Sequence, residues 1–121
     1  YRKAADRNLA LAQVMLGLSY ATGRGVPRDD RQAYGWFEKA ASGGFPLAQY
    51  AVGMLYSNGR GVEPDWISAH MWLSLAVAGG YVGAVQPLDS ATSRLSEADL
   101  ARARQLARQW RPTVGRDVRQ N

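Results

Sequence analysis

The sequence predicts an all-α fold: a right-handed α-solenoid of stacked antiparallel helix pairs, with about six helices and a truncated helix end at its start. Three observations predict it: a 36-residue internal repeat, apolar residues at helical spacing, and glycines that punctuate both repeats at matched places. When positions 1–44 are laid against 37–80, 18 of the 44 pairs are identical, where chance gives about three at average residue frequencies. The identities include Leu11/Leu47, Ala12/Ala48, Gln13/Gln49, Gly17/Gly53 and Tyr20/Tyr56, then Gly23-Arg24-Gly25-Val26 against Gly59-Arg60-Gly61-Val62. Asp29/Asp65, Ala33/Ala69, Trp36/Trp72 and Gly43-Gly44/Gly79-Gly80 complete the match.

Each unit reads as two helices. Tyr1–Ala5 matches Phe37–Ala41, so residues 1–8 are expected to be the end of a preceding repeat and the chain a piece of something longer. First helices are expected near 9–22, 46–58 and 82–94, second helices near 29–42, 65–79 and 96–110. Leu9–Thr22 and Pro46–Asn58 are apolar over too long a run for a strand. Pro46 suits a first helical turn, where a missing N–H costs nothing. Gly23 and Gly59 stand where a helix closes on a left-handed residue. Asp29 and Asp65 are N-cap residues for the second helices. In those helices Ala33, Trp36, Phe37 and Ala40, and again Ala69, Trp72, Leu73 and Ala76, fall at i, i+3, i+4, i+7.

This divides the chain into one repeat domain over 1–112, with repeat one at 9–44, repeat two at 45–80 and a degenerate capping repeat at 81–112. A flexible tail is expected over 113–121. In the capping repeat Asp89 replaces the packing glycine and no Gly-x-Gly-Val turn follows, as a solvent-facing terminal unit requires. Ser96 and Asp99 open the last helix as a capping box, and Leu100, Ala103, Leu106, Ala107 and Trp110 form its apolar face.

Period, helix pair and motif together resemble the Sel-one-like repeat (SLR) family, a branch of the tetratricopeptide-type solenoids. The resemblance rests on Ala12-Gln13, Leu16-Gly17 and Tyr20, on Gly23-Arg24-Gly25-Val26-Pro27, on Ala33 with Trp36-Phe37, and on Lys39-Ala40-Ala41. Ala48-Gln49, Gly53, Tyr56, Gly59-Arg60-Gly61-Val62 and Ala69-His70-Met71-Trp72 repeat it. Phe45, where the family has a polar cap, and the displaced Pro64 depart from the pattern. The resemblance implies a bacterial protein of the envelope or of signalling, in periplasm or cytoplasm, and a non-catalytic scaffold whose first helices line a concave binding surface.

Composition narrows the chemistry. The sequence has no cysteine and one histidine, which excludes disulfides, cysteine zinc sites, thiol nucleophiles and two-histidine metal sites. No catalytic residue, metal site or cofactor is expected. The carboxylates Asp29, Asp30, Asp65, Glu97 and Asp99 sit at helix starts, where capping and the helix dipole account for them. His70 has no obvious partner, and its repeat counterpart Tyr34 suggests a partly exposed position. Trp36 and Trp72 are expected between helices. The stretch Trp66–Leu88 carries no Asp, Glu, Lys or Arg, yet Gly79-Gly80 divides it, so no membrane span is read there. No charged segment followed by an apolar one stands at the start.

The net charge of +5 belongs mainly to the C-terminal end. Arg94, Arg102, Arg104, Arg108, Arg111, Arg116 and Arg119 permit binding to an anionic polymer or nucleic acid. Arg104, Arg108 and Arg111 nevertheless lie opposite the apolar stripe, on a face that solvation explains, and no aromatic stacking platform is interleaved.

The first helices point instead to a protein or peptide partner. A helix apolar nearly all round is buried on both sides or lines a groove. One stripe, Ala12, Leu16 and Tyr20, is required inside the solenoid. The second stripe supplies the expected partner-binding residues: Leu11, Val14 and Leu18, continued by Leu47, Tyr50, Met54 and Ser57, with Tyr50 the leading anchor. The alternative for this stripe is packing between neighbouring first helices. Exposure of Leu9, Ala12 and Leu16 at the first edge predicts self-association there.

Overall fold

A computed structural model describes residues 2–113. Six α-helices form it: α1 (Arg2–Thr22), α2 (Asp30–Ser42), α3 (Pro46–Asn58), α4 (Trp66–Ala78), α5 (Val85–Ser93) and α6 (Glu97–Gln109). A 3-10 turn, Val82–Ala84, leads into α5, and no strand occurs among the described residues. Each helix packs on the next from α1 to α5, and α6 lies back against α4. The chain is an all-α solenoid.

The helix ends follow from local chemistry. The Asp29 carboxylate accepts from the backbone N–H groups of Arg31 and Gln32, and Asp65 repeats this with Ile67 and Ser68. Such caps satisfy donors that a helix start leaves unpaired. Ser96 Oγ accepts from the Asp99 N–H at the start of α6. Phe45 makes no side-chain cap, and Pro46 begins α3 without the donor that would have needed one. At the other end of α3, Gly59 is left-handed at φ +67° and its N–H closes on the Leu55 carbonyl.

The start of the chain differs from expectation. Residues 1–8 were to end one helix before a turn into the next, but α1 runs unbroken from Arg2 to Thr22. The reason is local: Gly43-Gly44 and Pro46, which separate α2 from α3, have Arg7-Asn8 and Ala10 as counterparts. Nothing there stops a helix. At the far end, the flexible tail predicted from 113 lies outside the described residues beyond Thr113, whose N–H donates to the Ser42 carbonyl at 3.0 Å.

Two buried clusters hold the stack. The first gathers Val14, Ala33, Phe37, Ala40, Ala48 and Val52, and Trp72 belongs to it with Trp110 packed at its side. The Trp72 and Trp110 rings meet edge to face at 6.1 Å, so the end of α6 seals the second-helix layer. The second cluster centres on Leu73, Ala76, Ala84 and Ala91. Small residues at these contacts let helices approach closely: a Cβ on Gly17 would lie 2.9 Å from the Phe37 ring, and one on Gly53 2.7 Å from Leu73 Cγ.

Candidate functional site

The junction between the two repeats is fastened by polar contacts whose residues recur at the 36-residue period. Arg60, in the turn after α3, reaches back to repeat one. Its Nη2 lies 2.9 Å from Asp30 Oδ1 and donates to the Ala21 carbonyl at 3.3 Å. The Arg60 hydrogen bond holds the Asp30 carboxyl below the usual carboxylate range. Gln49 Nε2 donates to the Ala41 carbonyl, and the Tyr34 and Tyr56 hydroxyls pair at 3.0 Å. Burial and the Tyr56 hydrogen bond push the Tyr34 phenol upward, so it stays neutral.

The next junction uses three of these places with different side chains. His70 stands where Tyr34 does and Thr92 where Tyr56 does, with His70 Nε2 2.9 Å from Thr92 Oγ1. The carboxylate position of Asp30 is Trp66 and the Arg60 position is Ser96, and the Arg94 guanidinium, two residues earlier, lies 4.7 Å from the Trp66 ring centroid. A salt bridge in one junction is thus a cation–π contact in the other.

His70 corrects an expectation: it is 4% exposed. The position faces the next repeat, so a side chain there is covered once α5 is in place. Thr92 commits its own hydroxyl proton to the Leu88 carbonyl at 3.0 Å, so the imidazole donates Nε2–H to Thr92. That leaves Nδ1 as a buried lone pair without a hydrogen-bond partner. Burial first, then the Arg104 charge, lowers the His70 pKa. The unfolded chain therefore takes up this proton more readily than the folded one, and stability falls as pH drops below about 6.5 toward the folded value. Melts at pH 7.5 and 5.5 should show a larger loss for the native chain than for His70→Gln. Equal losses would remove His70 as the source.

Of the expected partner-binding residues, Leu11 and Leu18 are 48% and 47% exposed. Leu47, Tyr50, Met54 and Ser57 are half-buried. Val14 is not part of any open surface: at 2% exposure it belongs to the cluster of Phe37 and Val52. The physical reason shows in its counterpart. Tyr50 leans toward the following repeat, its ring 4.9 Å from that of Tyr81, and packs on the Leu73 cluster with Met54. This helix position points along the stack, so the smaller Val14 is covered entirely. Ser57 Oγ donates to the Gly53 carbonyl at 3.0 Å.

The sequence reading passed over Met15, one of the most exposed large apolar residues. With Leu18, Ser19, Thr22 and Arg24 it lines a cleft of about 260 Å³ on α1. Its spacing of i+4 from Leu11 was the available signal. Trp36, expected between helices, is half-buried with the Lys39 ammonium 4.5 Å from its ring centroid, whereas Trp72 is buried. Arg104, Arg108 and Arg111 are exposed, and Arg111 donates to the carbonyls of Arg108 and Trp110 at the end of α6. Among the described residues no group of three or more His, Cys, Asp or Glu could hold a metal ion, and no helix is long and apolar enough to cross a membrane.

Comparison with known proteins agrees with this architecture. Solved structures similar to the chain include c5321, a protective antigen of uropathogenic Escherichia coli strains displaying an SLR fold. The likeness has a TM-score of 0.82 at 33% identity and covers 90% of this chain and 24% of that one. The chain thus spans about a quarter of the antigen's length. A Sel1 repeat protein from Oxalobacter formigenes is similar at a TM-score of 0.66 and 43% identity, covering 74% of this chain and 67% of that one. No curated protein matches the sequence. The Sel1 repeat family model matches residues 10–45 and 46–81, and with the period, the Gly-Arg-Gly-Val turns and the helix pairs it shows that the chain belongs to the Sel1 repeat family.

Proposed function

We propose that this domain is a non-catalytic scaffold that binds a segment of a protein partner on the face of its first helices. Sel1 repeats generally mediate protein interaction, and the fold is typically a non-catalytic scaffold. The observation that carries the finer reading is the row Leu11, Met15 and Leu18 on α1, three large apolar side chains each about half exposed. Leu47 and Met54 continue it on α3. An apolar row on a rigid helix suits an apolar peptide stretch, and Met54 and Met15 adapt to irregular shapes. Tyr50 contributes the edge of a ring already held by Tyr81, which lowers the entropy lost when a partner contacts it.

The test uses peptides selected from a random library against the full chain. Leu18→Asp should weaken the selected peptides at least about tenfold, since it places a charge where an apolar contact is required. Neutralising Arg104, Arg108 and Arg111 together should leave affinity unchanged, and binding should vary little with salt. A steep salt dependence with loss only on arginine neutralisation would assign binding to an anionic partner at α6 and overturn the reading.

A further inference from the structure

Beyond α6 the chain crosses back to repeat one. At Trp110 the backbone becomes extended, with φ −66° and ψ 140°, and Pro112 restricts the run two residues later. The Trp110 ring packs on the first cluster, edge to face with Trp72. The Thr113 N–H donates to the Ser42 carbonyl at 3.0 Å, and Thr113 Oγ1 lies 3.4 Å from the same oxygen. Ser42 ends α2, where a helix leaves its last carbonyls without intrahelical partners. Gly44 is the floor between these anchors: a Cβ there would stand 3.9 Å from the Trp110 ring and 3.8 Å from Pro112. Arg111 turns away from the seat and donates to the Arg108 and Trp110 carbonyls.

The repeat does not itself require this cover. At the end of α4 the counterparts of Ser42, Gly43 and Gly44 are Ala78, Gly79 and Gly80, all exposed, and a Cβ on Gly80 would meet nothing within 4 Å. The backbone is nevertheless the same at both places. Gly43 and Gly79 have φ −79° and −82°, and Gly44 and Gly80 have φ +96° and +100°. The seat at the end of α2 is therefore preformed, and the segment on it is an added occupant.

We propose that the end of α2 is a docking groove for an extended Trp-x-Pro segment of another protein, which Trp110–Thr113 holds closed as a strap. The incoming tryptophan takes the place against Trp72 and Gly44. The proline keeps the segment extended at low entropic cost, and the next backbone N–H reaches the Ser42 carbonyl. The middle residue is free to vary, because Arg111 makes no contact with the seat. The strap of a second copy fits less well, since it is tied to an α6 that packs on its own α4. This groove lies at helix ends, apart from the Leu11–Leu18 row, and goes beyond the peptide-binding reading.

The probe is the amidated peptide Gln-Trp-Arg-Pro-Thr-Val, the sequence of residues 109–114, added unlabelled to the isotope-labelled full chain. A tethered strap competes at an effective concentration of about millimolar, so Trp110→Ala should bind the peptide at least about tenfold tighter than the native chain. The Trp72 indole N–H and the Gly44 amide should shift, with the Trp66 indole and the Leu11 and Leu18 methyls unmoved. A peptide with alanine in place of its tryptophan should not bind. Thr113→Pro keeps Trp110 and removes the groups that reach the Ser42 carbonyl, so it tests the groove even if Trp110→Ala fails to fold. It should bind the peptide at least about threefold tighter than the native chain, as the loss of one hydrogen bond implies. Equal binding by native chain and variants, no binding to a variant that melts cooperatively, or shifts at Leu11 and Leu18 instead would overturn the inference. A native dimer in sedimentation that Trp110→Ala dissolves would assign the groove to a second copy's strap and overturn the choice of partner.

Discussion

Gly61→Ala should destabilise the domain by roughly 2–5 kcal/mol, the largest effect expected of any one-carbon change in it. Two causes add. Gly61 lies at φ +78°, where a side chain costs about 1–2 kcal/mol. Its new Cβ would also collide with the Asp30 carbonyl, a backbone atom that cannot rotate away, and overpacking of this kind costs about 1–3 kcal/mol. The collision falls at the junction between repeats, so the strain separates α3 from α2 and pulls Arg60 off Asp30. Gly25→Ala is the internal control. It shares the backbone conformation at φ +77° but has open space around it, so only the first cost applies. Urea melts of the two variants should differ by more than about 1 kcal/mol. Equal losses would mean that the turn is strained alike in both repeats and that the junction contact carries nothing.

Gly53→Leu should cost about 1–3 kcal/mol by overpacking alone, since its backbone is helical. The obstacle is Leu73, which is fully buried, and behind it the Ala69 carbonyl 3.3 Å from the added Cβ. A leucine there forces α3 away from α4 and opens the second cluster, so Tyr50 should lose its contact with Tyr81. The matching change Gly17→Leu meets the Phe37 ring, a side chain at the end of its own rotatable bonds, and should cost less. A Gly53→Leu melt indistinguishable from the parent would remove the close approach of α3 and α4 from the account.

Most of the fold was legible because its causes are local and repeated. Asp29, Asp65 and Ser96 cap helices wherever the chain places them, and the Gly-Arg-Gly turn reads the same in both units. In the last helix pair Thr92 stands at the place of Tyr56 and bonds His70, while the Trp66 ring meets Arg94, two residues before the counterpart of Arg60. The continuous α1 was misread because the period imposed a break that Arg7-Asn8 does not make. Local helix propensity decided there, and repeat identity did not.

The candidate face was less legible. Val14 and Tyr50 occupy one repeat position and are not equivalent in exposure, because a valine disappears where a tyrosine protrudes. His70 was misjudged for a related reason: the hydroxyl that covers it comes from Thr92, 22 residues away and in the least regular repeat. Met15 was missed because the stripe was followed at i+3 from Leu11 to Val14 when the exposed row runs at i+4. Side-chain size and long-range cover, which periodicity does not encode, decided the first two, and a misread pitch decided the third.

The central claim, that the first-helix row binds a partner segment, is tested most directly by mapping a library-selected peptide on the full chain by methyl NMR. The account predicts that titration shifts the methyl resonances of Leu11, Met15, Leu18, Leu47 and Met54 while those of Leu100 and Leu106 on α6 stay in place. Shifts confined to α6, with the α1 and α3 methyls unmoved at saturation, would contradict it.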